Sequence, residues 1–207
     1  MIIINNNFYI LINYDIGNTV CIIKIYIMKY EFFGEIDTFL SLEGQLNIET
    51  DVETEAHFCS TLQIKSNNDA QLASTCKSFV KLFKISKHEC GKDFSKYGNK
   101  CTEFINYWIN DKLSSITKYE DVITPFYNQL QTRYKEFDIH DIFKEKIYYI
   151  KQETYKNMNI LYKLYKIFDE IKESTIKNDN NIEKFKNNYN KALNQCFRET
   201  DDNFYNA

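Results

Sequence analysis

Proline and glycine are nearly missing from this chain, with one proline and five glycines among 207 residues. Average usage would supply about 5% and about 7%. A chain so short of residues for positive φ and rigid kinks makes few tight turns. Sandwiches and barrels need many such turns, so the shortage excludes them in favour of long helices. No apolar run reaches the roughly 18 residues that a membrane-spanning helix needs. No basic leader with a small-residue cleavage site opens the chain. Phosphate-cradling glycine loops and dinucleotide fingerprints are absent. The net charge is −3 with both signs mixed along the chain. No basic stripe gives the footprint of nucleic-acid binding, and no acidic block suggests a cation store. Arginine is almost lacking, at 2 against 24 lysines. With abundant Asn and Ile, that bias reflects AT-rich codons, a property of the source genome rather than of the chemistry.

The length suits about one domain and buries a core without help from metals or crosslinks. What is present is helical patterning with cysteines set into it. The segment Cys101–Leu113, CTEFINYWINDKL, carries the single tryptophan, Trp108. Cys101, Ile105 and Trp108 recur at i, i+4, i+7 and share a helix face. Cys76 precedes Phe79, Val80 and Phe83 in the register in which Cys101 precedes Phe104, Ile105 and Trp108. Two helices thus present a cysteine and then large apolar side chains.

After Met28, Phe32, Ile36, Phe39 and Leu40 follow helical spacing, and a further helix is expected over about Asn68–Lys87, opened by an Asn68/Gln71 capping box. His88–Lys100 reads as a loop, and the motif helix follows from about residue 100 to Ser115. Thr124 and Pro125 read as the N-cap and first residue of a helix running to Asp138. A long helix is expected over Ile142–Ser174, with Leu161, Leu164, Phe168 and Ile171 on its apolar face and Tyr155, Tyr162 and Tyr165 beside it. After a polar break at Lys177–Asn181, a last amphipathic helix carries Ile182, Phe185, Tyr189, Leu193 and Cys196. Residues 47–68 read as a polar connection holding Cys59. The first 27 residues alternate and carry little charge. They read either as an extension from the gene model, with Met28 nearer the natural start, or as an edge strand or disordered arm. The expected division is an N-terminal extension over 1–27, a helical domain over 28–198 and a polar tail over 199–207.

Six cysteines are compatible with three disulfides and equally with reduced thiols buried in a core. Two His-x-Cys pairs, His57/Cys59 and His88/Cys90, raise a zinc site, but their spacing matches none of the usual paired patterns. His88 beside Cys90 is the sole local nucleophile–base candidate, and no anion-stabilising turn accompanies it. Paired acids such as Asp51/Glu53 and Asp201/Asp202 read as solvated surface. The Tyr- and Lys-rich run from Lys146 reads as core packing with amphipathic edges.

Three segments follow in order: CKSFVKLF from Cys76, CTEFINYWINDKL from Cys101, and YKNMNILYKLYKIFDEIKES from Tyr155. Together they resemble the Plasmodium interspersed repeat (PIR) proteins, including the vivax-type VIR branch. The family's Asn-Tyr-Trp and Asp-Lys elements are matched by Asn106–Trp108 and Asp111–Leu113, and MKYEFFGEIDTFLSL from Met28 resembles a family N-terminus. The resemblance covers about residues 28–198. It implies a mostly α, cysteine-containing domain with long loops, belonging to a non-enzymatic variant antigen exported to the infected red cell. Immune evasion and adhesion are the implied roles, and host proteins or antibodies the implied partners. No catalytic residue, metal or cofactor carries over. Cys76, Cys101 and the core anchor Trp108 match the family pattern, and Cys59, Cys90 and Cys196 more loosely; these five cysteines are the disulfide candidates, with no pairing assigned. The chain departs from the family in lacking a membrane-spanning segment, which implies a short member, a fragment or a degenerate copy. It also lacks an RxLxE-like export motif. If residues 1–27 are spurious, Cys21 goes with them and one cysteine is left unpaired. The alternatives are an intracellular helical interaction module with reduced cysteines and a zinc-binding module.

Overall fold

The computed structural model describes residues 2–5, 9–12, 21–23, 31–47, 52–64, 66–92, 94–138, 145–173 and 179–204. Three short strands, β1 (Ile2–Asn5), β2 (Tyr9–Ile12) and β3 (Cys21–Ile23), form an antiparallel meander in the order β1-β2-β3. Ile3 pairs with Leu11 and Leu11 with Ile22. Every other described element is helical: α1 (Ile36–Gly44), α2 (Asp69–Lys92), α3 (Phe94–Ile116), α4 (Glu120–Thr132), α5 (Tyr134–Phe137), α6 (Gln152–Glu173) and α7 (Asp179–Phe204). Single 3-10 turns occupy Glu31–Glu35, Gln45–Asn47 and His57–Thr61.

The chain divides into two compact units. One comprises residues 1–36 and 156–207. There β3 lies against α7, and Phe33 stacks on Phe32 at 4.2 Å and on Tyr165 at 5.5 Å.

The other unit, Asp37–Tyr155, is built around α3. The start of α2 meets the end of α3, where the Asn68 amide donates to the Ile116 carbonyl at 3.2 Å. The two helices therefore form an antiparallel hairpin. Phe39 of α1 stacks on Phe104 at 4.7 Å, and Tyr155 of α6 donates its hydroxyl to Asp111 at 2.8 Å. As a result every residue from Phe104 to Asn110 is buried. A helix buried on all sides has no polar face to spare, whereas the sequence pattern suggests only one apolar stripe.

Several boundaries differ from the sequence reading. His88–Lys100 is not a loop: α2 continues to Lys92 and α3 starts at Phe94. Gly91 and Gly98 sit inside these helices, since a helical glycine costs only about 1 kcal/mol relative to alanine and breaks no hydrogen bond. Pro125 is not at a helix start, because α4 begins five residues earlier at Glu120. The Tyr119 carbonyl accepts from the Val122 and Ile123 amides, each at 3.1 Å, and Glu120 and Asp121 favour the positive end of the helix dipole. Pro125 lies inside α4, where it forgoes the bond to the Asp121 carbonyl and its ring crowds that carbonyl. Residues 47–68 are more than a polar connection: Val52, Ala56, Phe58, Cys59 and Ile64 are all buried. Finally, α6 starts at Gln152 rather than Ile142, and residues 147–151 preceding it are not helical. Its buried face uses Tyr155, Met158, Leu161, Leu164 and Ile167, while Phe168 is exposed.

Candidate functional site

The conspicuous side-chain constellation surrounds the middle of α3, in the second unit. Asn106 lies in the run Phe104–Asn110 and is 1% exposed. Its amide nitrogen donates to the Lys146 carbonyl at 2.7 Å, and its amide oxygen accepts from the Tyr148 backbone N–H at 2.9 Å. One side chain thus supplies the donor–acceptor pair that a neighbouring strand would offer. From α4, Gln131 donates to the Ile147 carbonyl at 2.7 Å. These bonds hold residues 146–148 as a strap; along the rest of that segment Ile147 and Ile150 are buried and Tyr148 is exposed. Glu145, at the head of the strap, has φ of 62°.

Around this centre the packing is aromatic. Tyr107 is 1% exposed and lies 6.1 Å from Tyr155. Burial, reinforced by the hydrogen bond to Asp111, pushes the Tyr155 phenol well above its usual pKa. Tyr127 meets Tyr149 edge-on at 5.8 Å, and burial raises its phenol strongly too. Trp108 is 3% exposed, and among the described residues its indole N–H finds no hydrogen-bond partner. Lys112 stands 5.3 Å from the Trp108 ring centroid and 3.3 Å from Glu43. Among the described residues, neither the oxygen nor the nitrogen of the buried Asn110 amide has a hydrogen-bond partner.

The cysteines serve a different corner of the same unit. Cys59 and Cys76, both fully buried, form a disulfide with Cα atoms 5.5 Å apart. It ties the 3-10 turn His57–Thr61 to α2. That turn carries Phe58, which stacks on Phe137 of α5 at 5.9 Å. Phe79 and Phe83 of α2 meet the same ring edge-on at 5.7 and 5.1 Å. The crosslink therefore fixes one wall of an aromatic cluster centred on Phe137. Cys101 is disulfide-bonded as well. The side chains of Cys21, Cys90 and Cys196 lie outside the described residues.

This arrangement offers little for bond-making chemistry. Disulfide bonding removes Cys59, Cys76 and Cys101 as thiolate ligands or nucleophiles. Among the described residues, no group of three or more His, Cys, Asp and Glu side chains is placed to hold a metal. Glu53 and Glu55 are engaged with Lys77 and Lys84 at 3.5 and 2.7 Å. Among the described residues, no helix is long and apolar enough to cross a membrane.

Sequence patterning singles out Trp108, Cys76 and Cys101, and the resemblance runs through Asn106 without giving it a role; Gln131, Phe137 and the strap go unremarked. One signal was available. An asparagine inside an apolar helical run costs energy unless it is bonded, so Asn106 and Asn110 both asked for partners.

A family model described as Plasmodium vivax Vir protein matches residues 37–206. No curated protein matches the chain, and no solved structure does.

Proposed function

The chain belongs to the Plasmodium vivax Vir protein family, and on that footing we propose that it is a non-enzymatic variant antigen, exported to the infected red cell. In this role the protein contacts host proteins or antibodies and contributes to immune evasion or adhesion. The observation that carries the reading is the family match over residues 37–206. The buried frame supports it: α3 and the Cys59–Cys76 crosslink lie inside, and exposed positions such as Tyr119 and Tyr148 are free to vary without disturbing them. Interior residues fix the fold, while recognition is set by the surface.

The disulfide speaks against the alternative of an intracellular module with reduced cysteines, because disulfides persist in oxidising surroundings and are rare in the cytosol. The zinc-binding alternative loses Cys59 and Cys76 as ligands for the same reason. The proposal is tested by tagging the chain in blood-stage parasites and imaging infected red cells. Label in the red-cell cytoplasm or at its surface is the expected result. Label confined within the parasite overturns export.

A further inference from the structure

The three-stranded sheet ends on one side at β1. In an antiparallel pair, alternate residues aim their N–H and C=O at the neighbouring strand and the others aim them away. Two of the four residues of β1 therefore bond to β2, and the other two present their N–H and C=O groups at the outer edge. Among the described residues no strand lies there. Such an edge pairs with another strand unless lysine, proline, a bulge or a covering element blocks it. Residues 1–14 carry no charged side chain and no proline. The register from Ile2↔Ile12 to Asn5↔Tyr9 runs without a bulge. At the other end of the sheet, β3 lies against α7.

We propose that the outer edge of β1 is a self-association site, which pairs antiparallel with β1 of a second copy of this chain. The pairing that β1 already makes points to that occupant. Against β2, Ile2, Ile3 and Ile4 stand opposite Ile12, Leu11 and Ile10. A two-fold axis at Ile3 sets Ile3 opposite Ile3 of the second copy, and Ile2 opposite Ile4. Each isoleucine of β1 thus has at its outer side the kind of residue that it has at its inner side, and cross-strand pairs are what stabilise a sheet. The pairing brings no like charges together, because the segment carries none. A two-fold contact closes on itself, so it yields a dimer and not a filament. The edge lies outside residues 37–206, which match the family, so the inference is independent of export and of antigenic function.

Sedimentation velocity of the full chain tests this. Wild type at about 100 μM, a concentration suited to a small interface, should contain a species of twice the 24.8 kDa chain mass that dilution dissociates. Ile3→Lys and Ile3→Asp each set like charges opposite one another and should raise the dimer dissociation constant at least about tenfold. An equimolar mixture of the two variants should restore the dimer, because opposite charges then meet across the axis. A wild type that stays monomeric leaves the edge to some other strand and overturns the proposal. So does a dimer that both variants leave intact, or an assembly larger than a dimer. If the mixture restores nothing, hydrogen exchange on wild type, which needs no substitution, decides the matter. Two alternate amides among Ile2–Asn5 should exchange at least about tenfold slower at the dimer's concentration than after dilution. Unchanged rates at the two concentrations overturn the proposal.

Discussion

The two asparagines of α3 show how much one residue's surroundings decide. Asn106 and Asn110 stand one helical turn apart, both 1% exposed, yet Asn106 is bonded and both polar atoms of the Asn110 side chain are without partners among the described residues. Asn106→Ala strands the Lys146 carbonyl and the Tyr148 N–H and should cost about 2–4 kcal/mol. Asn110→Leu removes an unpaired amide at similar volume and should be neutral or stabilising by about 1–2 kcal/mol. Urea unfolding of the two variants checks the contrast. Trp108→Ala leaves a large cavity beside α3 and should cost about 3–5 kcal/mol; an unchanged melting curve would show that the indole is not in the core. The buried phenols set an alkaline limit. Folded Tyr127 and Tyr155 ionise well above the roughly 10 of an unfolded tyrosine. Their stabilisation is complete below that pH and is lost as the pH rises beyond it, because the unfolded chain then binds fewer protons. Stability should fall progressively above about pH 10, and Tyr155→Phe should flatten the decline in urea titrations.

Among the elements, the strap and α4 carry the largest surprises. Glu145 holds a left-handed backbone, so Glu145→Gly should stabilise by about 0.5–1 kcal/mol after the entropy cost of glycine is counted; thermal melts read this directly. The helical character of α2, α3, α6 and α7 was legible, because apolar residues repeat at helical spacing over many turns. The ends were not. Gly91 and Gly98 suggest a loop, yet neither removes a backbone bond, and so the helices run nearly to each other. Pro125 imitates a helix start because the bond it deletes lies so near the true one. The strap was hidden because Ile147 and Ile150, three apart, satisfy a helical period although the segment that carries them is not helical. What holds the non-helical form is the Asn106 and Gln131 amides, which lie about 40 and 16 residues away in sequence. No local pattern records such a partner.

For the molecule as a whole, the sequence shows a helical, cysteine-bearing chain but leaves open whether its thiols are paired. Periodicity puts Cys76 on a buried face; it does not bring Cys59 to it, because Cys59 lies in a stretch whose composition reads as solvated. Phe58 and Phe137 supply the missing information by meeting across Phe79 and Phe83. A crosslink spanning 17 residues there is worth about 3 kcal/mol in the chain-entropy model. It is also the feature that separates an antigen matured under oxidising conditions from a module with reduced thiols. Peptide mapping of the denatured, unreduced and alkylated protein tests this most directly. A linked peptide pair containing Cys59 and Cys76, absent after reduction, is the predicted result; alkylation of either cysteine before reduction would contradict it.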